Sequence, residues 1–171
     1  MRKGREIIGL PVLNLATGKE IGFVQDLVWC PEACKLTYII LEEVGILCRP
    51  RFIRYQDVVN VGKDAITVSG EMLPEGEINL ETSPRATRVT GVPVITTEGE
   101  NLGTIEDVVF TLPGGELLGY EISAGLVEDL ISGRSILPRD DVVAWGKDTI
   151  IVKGAVLEPR SEKNAVSYLP E

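Results

Sequence analysis

The chain has 171 residues, 44% of them hydrophobic and 25% charged, the balance of a globular protein of one ordinary or two very small domains. It contains no histidine, which removes the usual general base, the Ser-His and Cys-His nucleophile pairings and the commonest metal ligand. Its net charge of −9 opposes generic binding to phosphate backbones, and no apolar run reaches the roughly 18–20 residues of a membrane-spanning helix.

The charge is uneven: residues 1–70 hold nine Lys/Arg against eight Asp/Glu, and residues 71–171 hold eight against eighteen. The basic start, Arg2, Lys3 and Arg5, ahead of Ile7, Ile8 and Leu10 imitates a secretory signal. Gly9, Pro11 and Asn14 interrupt that apolar run, and its core returns later in the chain, so the segment is expected to be folded protein in the cytoplasm.

Going along the chain, Gly9-Leu10-Pro11-Val12 opens a pattern that residues 21–28 and 36–41 continue as two strands across a Pro31-Glu32-Ala33 turn. Residues 58–61 and 65–68 form a further strand pair around Gly62-Lys63-Asp64. Residues 71–88, with Pro74, Gly76, Pro84 and several glutamates, show no period and read as a polar linker. Then the pattern repeats. Gly91-Val92-Pro93-Val94 opens it, residues 102–110 and 117–123 flank Pro113-Gly114-Gly115, and residues 142–145 and 149–152 flank Gly146-Lys147-Asp148. Residues 126–131 are expected to form at most one helical turn, and 155–171 read as a surface tail. Three blocks in the same order define a tandem duplication, with copies at 1–70 and 89–154. The expected fold is all-β: two small, closed or half-closed barrels, since closure removes exposed strand edges.

The order Gly-hydrophobic-Pro-Val, Gly-x-x-hydrophobic-Gly with a following Asp, and Asp-Val-Val before Gly-x-Asp resembles the PRC-barrel domain. In this chain it is carried by Gly9, Pro11, Gly22, Asp26, Gly62 and Asp64, and again by Gly91, Pro93, Gly103, Asp107, Gly146 and Asp148. That domain is met in the cytoplasmic part of the photosynthetic reaction-centre H subunit, in the C-terminal half of a ribosome maturation factor of the small subunit, and in stand-alone bacterial proteins. The resemblance implies a binding or scaffolding module and no catalysis. This chain shows neither a transmembrane helix like that of the H subunit nor the ribosome factor's additional N-terminal domain, so neither specific role transfers.

Candidate chemistry is sparse. Asp26 with Asp107, Asp57 with Asp141 and Asp64 with Asp148 occupy equivalent positions; recurrence favours carboxylates that satisfy backbone amides at strand ends and turns over an acid–base pair. The glycines match neither GxxxxGK[ST] nor GxGxxG and are expected to supply positive φ and tight bends. Cys30, Cys34 and Cys48 read as inert thiols, with a redox pair or a shared metal site as alternatives. Arg49, Arg51, Phe52, Arg54 and Tyr55 interleave cations with aromatics; salt-bridged strand edge is the ordinary reading, a protein-binding or RNA-stacking face the functional one. Trp29, Tyr38, Tyr120 and Trp145 are expected in packing.

The sequence therefore points to a non-enzymatic cytoplasmic adaptor that uses a barrel face or sheet edge to bind a protein of unspecified identity. It needs no cofactor or metal and does not insert in a membrane, and homo-oligomerisation is left open. The alternative is a factor bound to ribosomal RNA through the segment containing Arg49 and Arg54.

Overall fold

The computed structural model describes residues 1–42, 50–69, 78–79, 81–125, 135–146, 148–154 and 158–159. Contacts divide the chain into two units, Met1–Val89 with Asp107–Leu118, and Thr90–Glu106 with Gly119–Glu171.

The first repeat contributes β1 (Arg2–Lys3), a 3-10 turn (Gly4–Glu6), β2 (Pro11–Asn14), β3 (Glu20–Cys30), β4 (Lys35–Leu41), β5 (Arg51–Arg54), a second 3-10 turn (Tyr55–Asp57), β6 (Val58–Val61) and β7 (Ile66–Val68). A short helix, α1 (Ala86–Val89), precedes the second repeat. That repeat supplies β8 (Pro93–Thr96), β9 (Asn101–Phe110), β10 (Leu117–Ser123), β11 (Ser135–Pro138), a third 3-10 turn (Arg139–Asp141), β12 (Val142–Trp145) and β13 (Ile150–Val152); β14 (Glu158–Pro159) follows.

Strand order in the first repeat is β5-β4-β3-β2-β7-β6. In the second it is β11-β10-β9-β8-β13-β12, the same order strand for strand, with β14 added beside β11. The shared order includes a parallel pair, β2 with β7 and β8 with β13, amid antiparallel neighbours. The duplication read from the sequence is thus a duplication of topology.

The long strand of the first repeat explains how so few residues enclose a core. The β3 register against β2 slips between Val12 and Leu13, and against β4 between Val24 and Asp26 and again between Val28 and Trp29. Such bulges bend a strand, so the N-terminal half of β3 serves β2 while its C-terminal half serves β4. The two end strands of the path, β5 and β6, are consecutive in the chain and joined by the turn Tyr55–Asp57. No ladder joins them among the described residues, so the architecture is all-β with half-closed barrels.

Val12, Val24, Leu27, Ile39, Leu41, Ile66 and Val68 are buried in the first unit; Val94, Ile105, Leu137, Ile150 and Val152 are buried in the second. Complete burial of an aliphatic side chain contributes about 1.5–3 kcal/mol, so each of these residues adds substantially to the stabilisation.

One segment departs from expectation. Residues 71–88, read as a polar linker, end in α1, whose Ala86 and Val89 are buried and whose main contacts are with β3. Two apolar residues three apart are too short a pattern to register as periodic, and tertiary packing supplies what local propensity lacks. At the far end of the chain, Glu158 and Pro159 of the expected tail pair with Ile136 and Ser135 as a strand. Residues 126–131 lie outside the described residues.

Candidate functional site

The basic-aromatic segment is where structure and sequence part. Arg49 and Cys48 lie outside the described residues. Arg51 is half-buried, its Nη1 donating to the Ile21 carbonyl (2.9 Å) and its Nη2 to that of Glu42 (3.1 Å). Phe52 is 1% exposed and packs with Val28 and Ile40, with Tyr38 and Ile78 against them. Tyr55 is buried too, and its hydroxyl donates to the Pro113 carbonyl (2.9 Å). Burial pushes the phenol up to about 12. Neither ring is offered to a partner, which corrects the partner-facing reading of Phe52 and Tyr55. The interleaving is that of a strand covered on both faces: Phe52 and Ile53 are both buried, with half-exposed Arg51 and Arg54 at its two ends.

The recurring aspartates form a reciprocal arrangement within the first unit. Asp26 and Asp107 are buried at 3% and 4% exposure, near the middle of β3 and towards the end of β9. Each accepts from the amide of its own successor, Leu27 or Val108, at 2.8 Å. Asp26 also accepts from the Thr87 amide (3.1 Å) and hydroxyl, and lies 4.0 Å from Arg85 Nε. Asp107 accepts from the Arg5 amide (3.3 Å) and pairs with Arg5 Nε at 3.0 Å.

So the carboxylate of the first repeat holds the segment leading into the second, and that of the second holds the segment leading into the first. Backbone pairing repeats the exchange. Lys3 pairs with Val109 as Arg85 bridges to Val28, and these are equivalent positions. The hairpin tips are also reciprocal: the Leu36 amide donates to the Gly115 carbonyl and the Leu117 amide to that of Cys34, both at 2.8 Å. Trp29 and Phe110 meet edge to face with centroids 6.0 Å apart. The aspartates thus satisfy amides, as expected, but amides of distant segments as well as local ones. Sequence reading missed Arg5, Arg85 and Thr87, because nothing local distinguishes them from solvated residues.

In the remaining pairs the carboxylates were expected to satisfy amides, but the bonds are made by the main chain. The main-chain carbonyls of Asp57 and Asp141 accept from the amides of Ser69 and Lys153 at 2.9 and 2.8 Å. Asp64 and Asp148 are exposed in turns closed by the Gly62 and Gly146 amides on Ala65 and Thr149. Gly9, Gly91, Gly22 and Gly103 have positive φ, whereas Gly62 and Gly146 do not, against expectation. At Gly146 close approach is the constraint, since a Cβ would stand 2.6 Å from the Thr149 carbonyl oxygen. Pro11 and Pro93 open β2 and β8.

Cys30 and Cys34 are free thiols, both half-exposed, at the β3–β4 turn. Cys30 Sγ donates to Glu32 Oε2 (3.0 Å) and Cys34 Sγ to the Pro31 carbonyl (3.1 Å). The bond from Cys30 holds the exposed Glu32 carboxyl below its ordinary range. Among the described residues there is no group of three or more Cys, Asp or Glu that could hold a metal ion.

Among the exposed apolar side chains, one equivalent pair lies on outer strands. Val59 of β6 is 51% exposed and Val143, its equivalent in β12, is 54% exposed. Trp145, two residues further along β12, is 38% exposed while meeting Tyr120 edge to face at 5.3 Å; it was expected in packing and is only partly there. Trp29 and Tyr120 are buried, as expected. No described helix is long and apolar enough to cross a membrane.

The strand order, the bent central strand and the half-closed curl define a small β-barrel module present twice. The chain belongs to the PRC-barrel domain family, whose sequence profile matches residues 1–71 and again residues 81–156. It is also similar to a protein of Bacillus subtilis (strain 168) described as uncharacterized protein YrrD. The two are 29% identical over 160 residues, 90% of this chain and 88% of the relative.

Proposed function

We propose that this chain is a non-enzymatic cytoplasmic adaptor that binds another protein through the outer strands of its barrels. The observation that carries this reading is the equivalent exposure of Val59 and Val143 on β6 and β12, each at the end of its strand order. Edge strands normally carry charge or are covered, because an apolar edge templates association. The β12 sequence, Val142-Val143-Ala144-Trp145, carries no charge at all. Membership of a family of barrel modules and the absence of histidine from the chain support a binding role over catalysis.

Affinity capture from the source lysate, with and without RNase, tests the reading when wild type is compared with Val59→Asp, Val143→Asp and the double variant. A protein retained by wild type after RNase and lost from the folded double variant is the expected result. Ribosomal material lost on RNase treatment and insensitive to both substitutions would replace the adaptor by the RNA-bound factor.

A further inference from the structure

The geometry points to the Cys30/Cys34 turn as a reversible thiol–disulfide site, oxidised by low-molecular-weight disulfides. Both repeats have a turn here, with a cis Leu112–Pro113 bond in the second, and its two ends carry different residues. Where the first has Cys30 and Cys34, the second has Thr111 and Gly115. The Gly115 amide donates to the Thr111 carbonyl at 2.8 Å, so the turn brings these two positions together across its base. In the first repeat Cys30 pairs directly with Lys35, the residue after Cys34. Cys34 therefore adjoins the cross-strand partner of Cys30 at the base of the turn, and a disulfide there would span about 4.4–6.8 Å between Cα atoms.

Cys34 also occupies a glycine position. Its φ is 48°, left-handed like the 73° of Gly115, and it is the one non-glycine residue with positive φ among the described residues. Left-handed backbone is unfavourable for a residue with a Cβ. The thiol is what cysteine adds there that glycine lacks. Both residues are half-exposed, and their sulfurs are hydrogen-bonded to the residues between them, Glu32 and the Pro31 carbonyl, so both lie on the turn itself.

The reaction balances as two thiol–disulfide exchanges. One cysteine thiolate attacks the external disulfide and releases one thiol, leaving a mixed disulfide on the chain. The second cysteine displaces the remaining thiol. Two electrons and two protons pass from the cysteine pair to the two released thiols. A bridge closing so short a loop restricts the unfolded chain little, and an exposed bridge is easily attacked, so the product is readily reduced again.

The test is equilibration of the full chain in glutathione buffers of graded oxidised-to-reduced ratio, followed by alkylation, tryptic digestion and mass spectrometry. Cys30 and Cys34 fall in one tryptic peptide, residues 20–35, and Cys48 in another. The expected result is joint loss of label from Cys30 and Cys34 as the ratio rises, with the peptide lighter by two hydrogens and Cys48 still labelled. Cys34→Gly, which places glycine at a left-handed position, keeps the fold and carries glutathione on Cys30 with no internal bridge. Separate glutathione adducts on both cysteines of wild type, continued labelling of both, or a bridge to Cys48 would each overturn the proposal.

Discussion

The β3–β4 hairpin and the β9–β10 hairpin share their backbone logic and differ in nearly every large side chain. Both bury an aspartate that holds a distant leader, and both tips donate and accept the same pair of backbone bonds. Yet Trp29 corresponds to Phe110, Cys34 to Gly115 and Ile40 to Glu121, with Ile40 and Glu121 buried at 2% and 1% exposure. Register fixes the last equivalence, since Ile40 lies opposite Phe52 and Glu121 opposite Ile136. The difference teaches which features the barrel requires: hydrogen bonds that satisfy the main chain recur, whereas the buried side chains around them vary.

The strongest way to break this comparison is through the aspartates. Asp26→Ala and Asp107→Ala each remove the carboxylate that accepts from two amides and that pairs with an arginine. Each is expected to cost about 2–3 kcal/mol by urea unfolding. Near-equal values sharpen the reciprocity; a neutral result for either one breaks it.

Next come the turn residues. A Cβ at Gly115 would collide with the Tyr55 ring, and φ there is 73°. Gly115→Cys is therefore expected to destabilise by about 2 kcal/mol. Cys34→Gly should stay within about 0.5 kcal/mol of wild type, because relief of left-handed backbone offsets the greater freedom of glycine in the unfolded chain. Thermal or urea unfolding of the two variants under reducing conditions checks the asymmetry.

A further effect, read through pH, is expected at Tyr55, whose equivalent in the second repeat is Arg139. Tyr55→Phe loses the bond to the Pro113 carbonyl and is expected to cost about 1 kcal/mol at neutral pH. The phenol titrates at about 12 when folded, against 10 for an ordinary tyrosine. Its contribution is therefore complete below pH 10 and disappears as pH rises from 10 through 12, where the unfolded chain ionises first. Stability measured against pH should fall less steeply across that window in Tyr55→Phe than in wild type.

Much of the barrel was legible because strand signals are local. The turns at Pro31-Glu32-Ala33 and Pro113-Gly114-Gly115, and the strands they join, are placed by alternation and turn chemistry, and the expected span 117–123 coincides with β10. The short strands β2 and β8 were visible only as the Gly-hydrophobic-Pro-Val motif, because four residues carry little periodicity. The candidate site was less legible. Arg51, Phe52 and Tyr55 look like a binding stretch until β4 lies against β5 and the half-exposed Arg51 turns its guanidinium onto two carbonyls.

The sequence by itself determined the duplication, the all-β class and the family, since these rest on residue order and on period-two patterns a single strand displays. Only the tertiary structure decided that each leader serves the other repeat's aspartate, that α1 packs on β3, and that the aromatic residues of β5 and its following turn face inward while Val59 and Val143 face outward. Those outcomes depend on pairings between residues sixty or a hundred positions apart, such as Asp26 with Thr87 and Arg5 with Asp107. A buried carboxylate and a solvated one are the same letter in the chain, and only the neighbours that desolvate it tell them apart.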